Sequence, residues 1–153
     1  MSLTPFPLPL AETLAGDGGL RLVLATTYPA NRSPWGVPAY RFDITVESAR
    51  AGTLSLRVAD AERLLYAGHV GFVVEPAWRG RRLAERAVRL LLPLAAAHGL
   101  DPLWLTCELG NQASRRTIER LGGVHAGTVA LPADYEAYQR GEREKRRYRL
   151  EIG

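Results

Sequence analysis

The stretch from Val73 to Ala84, V-V-E-P-A-W-R-G-R-R-L-A, limits the possible fold more than any other part of the chain. Its apolar β-formers end at Pro76 and an arginine- and glycine-rich turn follows. Leu83, Ala87, Leu90, Leu91 and Leu94 then recur at helical spacing. Strand, tight turn and helix start are compressed into one short segment. The first N–H groups of a helix have no partner inside it and carry the positive end of its dipole. A turn at that point aims several N–H groups at one anion. Gly80 permits close backbone approach, and Arg79, Arg81 and Arg82 add positive charge. The pattern predicts a pyrophosphate cradle at the end of a strand.

At 153 residues the chain is expected to form one domain over 1–153, with an irregular arm over 1–19. The 46% hydrophobic content is that of a globular protein, and no apolar run is long enough to span a bilayer, so no membrane is expected. The start, M-S-L-T-P-F-P-L-P-L, lacks the charged region and unbroken apolar stretch of a signal peptide. A single cysteine, Cys107, precludes an internal disulfide and agrees with a cytoplasmic setting. The basic residues are almost all arginine, with Lys145 the only lysine, a bias that a GC-rich genome explains. The net charge of +4 suits an anionic ligand. The arginines are scattered and matched by acids, which argues against nucleic acid as a partner.

Alternation and turn residues give the order of elements. Strands are expected at Leu20–Thr27, Tyr40–Val46, Thr53–Val58 and His69–Val74, with a Pro-rich loop over Tyr28–Pro38 and a turn over Glu47–Gly52. The helix begun at Leu83 should run to about His98, closed by Gly99 and kinked at Pro93. Leu103–Cys107 reads as a buried strand, and Gln112–Leu121 as a helix capped by Asn111. Val124–Leu131 and Arg147–Ile152 complete the strands. Asp134–Glu144 is expected to be partly helical, as is a short piece near Leu10–Leu14. This is an α/β (α+β) fold: a mixed, mostly antiparallel twisted sheet with helices on both faces.

The segment Arg79–Ala84 resembles the acyl-CoA-binding motif of the GNAT superfamily of N-acetyltransferases, Arg/Gln-x-x-Gly-x-Gly/Ala. Arg79 and Ala84 match its ends, and Gly80 matches a glycine often seen second. Arg82 stands where the central glycine is usual; if φ is positive there, arginine is strained where glycine would not be. A second match is L-T-C-E-L-G-N-Q-A-S-R-R-T-I-E-R-L-G-G, Leu105–Gly123, which is similar to the Asn-x-x-Ala/Ser stretch of the same superfamily. Taken alone, Asn111 is a helix cap and Ser114 a first-turn residue. Both motifs in this order, separated by one helix and one strand, point to CoA. The resemblance covers residues 50 to 152 well. The helix pair that the family places between its first two strands has only Tyr28–Pro38 available here.

The resemblance implies an acetyl-CoA-dependent N-acetyltransferase with no metal. CoA would be held by Val73, Val74, Arg79, Gly80, Arg81, Arg82, Leu83, Ala84, Asn111 and Ser114. The thioester carbonyl would be polarised by a backbone N–H near Val73 or Val74. A primary amine of an unidentified small-molecule or peptide acceptor would attack directly, and a homodimer is left open. Ile118 occupies the place where many relatives carry a tyrosine that protonates the thiolate, so Tyr148 or the Tyr135–Tyr138 segment would have to supply it. His69, beside the small Gly71, is the candidate general base, against a structural histidine bonded across the sheet. Glu75 is a weaker candidate. Cys107 reads as core, and His98 and His125 have no metal-ligand spacing. The run R-G-E-R-E-K-R-R-Y-R reads as a solvated face. A non-catalytic acyl-CoA-binding module and an arginine-rich nucleic-acid domain are the competing classes.

Overall fold

The computed structural model describes Pro7 and residues 13–153. In chain order the described elements are β1 (Thr13–Ala15), β2 (Leu20–Tyr28), β3 (Ala39–Val46), β4 (Ala49–Arg57), β5 (Val70–Val74), α1 (Leu83–Ala97), β6 (Leu103–Glu108), α2 (Gln112–Arg120), β7 (Val124–Ala130), α3 (Glu136–Gln139) and β8 (Glu144–Leu150). β1 to β5 form one sheet in sequential order, and β6, β8 and β7 form a second in that order. Every strand pair in both sheets is antiparallel.

The alternation read from the sequence decides which face is covered. Leu22, Phe42, Ile44, Leu54, Leu56 and Val70 turn to one side, where α1 lays down Leu83, Ala87, Val88, Leu91 and Ala95. Leu103, Leu105, Tyr148 and Leu150 continue the same core from the second sheet, with Ile118 of α2. One contiguous core therefore underlies both sheets, and α1 and α2 share a face. Among the described helices the four-residue α3 alone belongs to the other face, where Arg140 at its end pairs with Glu108 of β6 at 3.5 Å.

Several boundaries differ from expectation. Of the irregular arm, residues 1–6 and 8–12 lie outside the described residues, and from Thr13 the chain is already a strand rather than helix. α1 runs through Pro93 without a break. The turn between β3 and β4 shrinks to Glu47 and Ser48, at φ 49° and 74°, a left-handed pair that matches the twist of a tight hairpin. β8 begins at Glu144, so much of the arginine-rich run is strand. Two of its arginines lie over rings, Arg147 4.3 Å from the Trp104 centroid and Arg143 3.9 Å from that of Tyr138, while Arg140 and Arg149 are exposed and ion-paired. Between β2 and β3 there is a single 3-10 turn, Ala30–Arg32, where the family carries two helices.

Candidate active site

The sheets join at the start of β5. The backbone N–H of His69 donates to the carbonyl of Trp104 at 2.7 Å. Beyond that bond β5 pairs only with β4 and β6 only with β8, so a gap opens between β5 and β6. The Arg57 N–H donates to the His69 carbonyl, and the Glu75 N–H to the Ala51 carbonyl, fixing the ladder on the β4 side. Backbone groups alternate along a strand. Those of Gly71 and Val73 thus point towards β4, and the N–H groups of Phe72 and Val74 point into the gap. Gly52 makes this geometry possible, since a Cβ there would overlap the carbonyl oxygen of Val73. The Val73 side chain is 62% exposed, an uncovered apolar surface beside the opening.

At the far end of β5 the chain passes through a 3-10 turn, Pro76–Trp78, and into α1. Gly80 has φ 87° and open space around its Cα, with no atom within 4 Å of a built Cβ. Arg82, which precedes the helix, is left-handed at φ 56°, ψ 32°, so the arginine does occupy the backbone position that favours glycine. The first backbone bond of α1 is Arg86 N–H to Arg82 C=O. The N–H groups of Leu83, Ala84 and Glu85 therefore have no partner within the helix. Glu85 would oppose an anion there, but its carboxylate receives Arg120 Nε at 2.7 Å and Arg89 Nη2 at 3.4 Å. The bond from Arg120 holds its pKa below the usual carboxylate range. The arginines thus offset its charge, and the cradle stays electropositive.

A cleft of about 590 Å³ runs from β5 over this turn to α2. It brings together Val73, Val74, Arg79, Gly80, Arg82, Leu83, Ala84, Asn111 and Ser114. Arg81 is not in its wall; its guanidinium lies 4.8 Å from the Trp78 ring centroid. Arg79 folds back so that Nε donates to the Val74 carbonyl at 3.2 Å. Asn111 accepts the Ser114 N–H at 3.1 Å, the cap expected of it. The sequence reasoning missed Phe72, Trp78, Ala113, Arg116, Thr117 and Arg120. Arg116 and Arg120, four residues apart on α2, carried a legible signal, since such residues share one helical face.

His69 does not have the geometry of a base. It is 3% exposed. Its Nδ1 accepts the Trp104 N–H at 2.9 Å, so in the neutral ring Nε2 carries the proton and donates to the Ala59 carbonyl at 2.9 Å. Burial pushes its pKa below the usual range, and no lone pair is left to receive a proton from an amine. Placement on the face of Gly71 was right; the side chain is bonded across the sheets instead of facing an acceptor. Ile118 and Tyr148 are both in the core, 1% exposed, so Tyr148 does not reach the gap. Tyr135 lines a second cavity and keeps its phenol proton, because burial raises its pKa. Burial likewise raises the Cys107 thiol, which is 4% exposed and part of the core. Glu75 ion-pairs with Arg50 at 3.1 Å. Among the described residues no three His, Cys, Asp or Glu side chains gather as a metal site would need, and no helix is long and apolar enough to cross a membrane.

Solved structures with this fold include the ribosomal alpha-N-protein acetyltransferase RimL in complex with coenzyme A, at TM-score 0.69 and 16% identity over 92% of this chain and 98% of that one. A structure described as a putative acetyltransferase superposes at TM-score 0.70 and 18% identity, over 95% of this chain and 89% of that one. The microcin self-immunity acetyltransferase MccE, solved with acetyl-CoA and AMP, gives TM-score 0.60 and 17% identity over 74% of this chain and 61% of that one. No curated protein matches the sequence. The sequence model of the acetyltransferase (GNAT) domain matches residues 14–124, well over half of the chain. The split between β5 and β6, the electropositive turn at the end of β5 and this match agree: the chain belongs to the GNAT family of acetyltransferases.

Proposed function

We propose that the protein transfers an acetyl group from acetyl-CoA directly to a primary amine. One observation carries this. The arginine-rich turn at the start of α1 and the open edge of β5 lie in one continuous cleft, which gives a phosphate cradle and a row of free strand N–H groups within reach of one extended ligand. The residues fit the cosubstrate: the N–H groups of Leu83 and Ala84, with Arg79, Arg82 and Arg120, would hold its phosphates, and Asn111 and Ser114 would border its arm. Acetyl-CoA supplies an activated thioester. The N–H of Phe72 or Val74 would polarise its carbonyl, as donors aimed at a developing oxyanion do. Tyr135, whose phenol burial keeps protonated, is the candidate for donating to the departing thiolate. With His69 fully bonded, the amine would lose its proton to water or arrive deprotonated. A cytoplasmic setting suits the single buried thiol, Cys107.

The test has two steps. Acetyl-CoA should raise the melting temperature, by a linkage term of about 2.7 kcal/mol at a hundredfold excess over Kd. Gly80→Asp should abolish the shift, because it adds a negative charge to a cradle with room for the side chain. An unchanged shift would place the cosubstrate elsewhere. Release of free thiol in the presence of amines then separates an enzyme from a non-catalytic acyl-CoA-binding module. That second reading is favoured by one observation: neither His69 nor Ile118 supplies a proton-transfer group.

A further inference from the structure

A second cavity, of about 400 Å³, lies on the face of the sheets away from α1 and α2. Arg57 ties it to the gap. Alternation along β4 puts Arg57 opposite to Leu54 and Leu56, which face α1. Its guanidinium stacks 4.3 Å from the ring centroid of Trp35, which lines the cavity. Nη1 donates to the carbonyls of Ala67 at 2.7 Å and Gly68 at 3.1 Å. Nη2 lies against Gly71 of β5, where a Cβ would stand 2.5 Å from it. The missing side chain at Gly71 gives this cation its place beside the strand that borders the gap. From the other side, the carbonyl of Tyr66 accepts Thr106 Oγ1 of β6 at 2.8 Å, and Lys145 is in register with Glu108 of β6. Tyr66 and Lys145 both line the cavity, so its wall is tied to β6 through Tyr66 as Arg57 ties it to β5.

The charges there are unbalanced. Arg57 is 7% exposed, its Nε has no hydrogen-bond partner, and burial lowers its pKa to about 10 with no carboxylate to oppose the shift. Buried charges are ordinarily paired, because an unpaired one costs several kcal/mol of desolvation. Burial also lowers the Lys145 ammonium, which Glu108 opposes and Arg57 and Arg140 reinforce. The acids nearby are already engaged, since Arg140 bonds Glu136 at 3.1 Å and Glu108 at 3.5 Å. Trp35, Tyr66 and Tyr135 supply flat apolar surface, the two tyrosine rings 5.3 Å apart.

We propose that this cavity is the acceptor pocket and that it selects an amine bearing an anionic group, a carboxylate or a phosphate, held by Lys145 in the wall, with the Arg57 charge behind Trp35 adding to the attraction and the rest of the acceptor against Trp35, Tyr66 and Tyr135. The assignment rests on the acetyltransferase reading and adds a substrate class to it. Polyamines and other polycations are poor acceptors on this account, because like charges in a desolvated pocket repel.

Two measurements test it. The first uses the full chain without acetyl-CoA. Calorimetry compares phenylacetate and phenyl phosphate with the neutral 2-phenylethanol. An anion should bind at least about tenfold more tightly than the alcohol, the effect of one charge-assisted hydrogen bond. Lys145→Gln, at a half-buried position that tolerates an uncharged side chain, should remove most of that preference while leaving the melting temperature near that of the native chain. The second adds acetyl-CoA and compares kcat/KM for phenylalanine against phenethylamine, and for O-phosphoethanolamine against ethanolamine. The two pairs distinguish carboxylate from phosphate. At least one anionic member should be favoured about tenfold. Equal binding of the alcohol, or equal use of the uncharged partner in both pairs, overturns the inference while the acetyltransferase reading stands. Tight, Lys145-dependent anion binding with no thiol release from any amine defeats the acetyltransferase reading, and the acceptor assignment falls with it.

Discussion

His69 joins the two sheets, and its substitution separates a structural joint from a catalytic base. His69→Ala leaves the Trp104 N–H and the Ala59 carbonyl without their side-chain partner. Each unsatisfied buried group costs about 1–3 kcal/mol, and a cavity is left as well. The expected loss is about 3–5 kcal/mol, a large part of the usual ~5–15 kcal/mol stability of a domain. The pH dependence has a definite sign. Burial holds the folded pKa of His69 below 6.5, the usual value, which the unfolded imidazole keeps. As pH falls below that value, the unfolded chain takes up a proton that the folded chain refuses. The contribution is therefore complete above about pH 7 and declines below about pH 6.5, with a slope approaching about 1.4 kcal/mol per pH unit until the folded pKa is reached. In His69→Gln the amide oxygen accepts the Trp104 N–H and the amide nitrogen donates to Ala59, so most of the stability returns while this slope disappears. Urea unfolding from pH 5 to 8 on the native, Ala and Gln forms reads both effects. A Gln variant with the native slope refutes the argument. So does one that is equally stable but loses about a hundredfold or more in kcat/KM, which is the signature of a base.

Three further outcomes follow from the site. Gly52→Ala should destabilise the chain by about 1–3 kcal/mol, because the added Cβ overlaps the Val73 carbonyl, and should weaken acetyl-CoA binding with it; an unchanged melting temperature would show that β4 and β5 can move apart freely. Arg82→Gly should leave stability equal or raise it by about 1 kcal/mol by relieving the left-handed backbone, and a clear loss by thermal unfolding would contradict the strain. Asn111→Ala should cost about 1 kcal/mol through the lost cap on the Ser114 N–H, measured by chemical denaturation; a value near zero would mean the N-terminus of α2 is satisfied by water.

The turn proposed for the cosubstrate was legible because its determinants are local. Strand end, glycine and helix start lie within twelve residues, and backbone geometry alone makes the cradle. The match of Asn111 and Ser114 was readable for the same reason. Long-range partners hid the rest. The sequence places His69 beside Gly71, but its bonds run to Trp104 and Ala59, and no pattern in the sequence announces such a pairing. Arg57 reads as an unremarkable end to a strand. Its burial depends on Trp35 from the Pro-rich loop and on the vacancy at Gly71, which come together only in the fold. The charged run before Ile152 read as solvated, and much of it is. Arg140, Arg143 and Arg149 are exposed as expected, while Arg147 is half-buried against Trp104 of β6, a contact that charge count does not reveal. β1 escaped because a three-residue strand is too short for alternation to register.

Lys145, the sole lysine, has a consequence for the protein's own chemistry. A thioester acylates free amines, and lysine side chains are the usual casualties near any store of acetyl-CoA. Guanidinium groups stay protonated and do not compete as nucleophiles. A surface whose other basic side chains are all arginine is therefore close to inert toward the reagent it would handle. The exception sits inside the second cavity, in company that weakens its hold on a proton. Acetylation of Lys145 would neutralise one of the cavity's cations. A single mass increment on an otherwise unmarked chain would then record a turnover in which no acceptor had stood between the thioester and the wall.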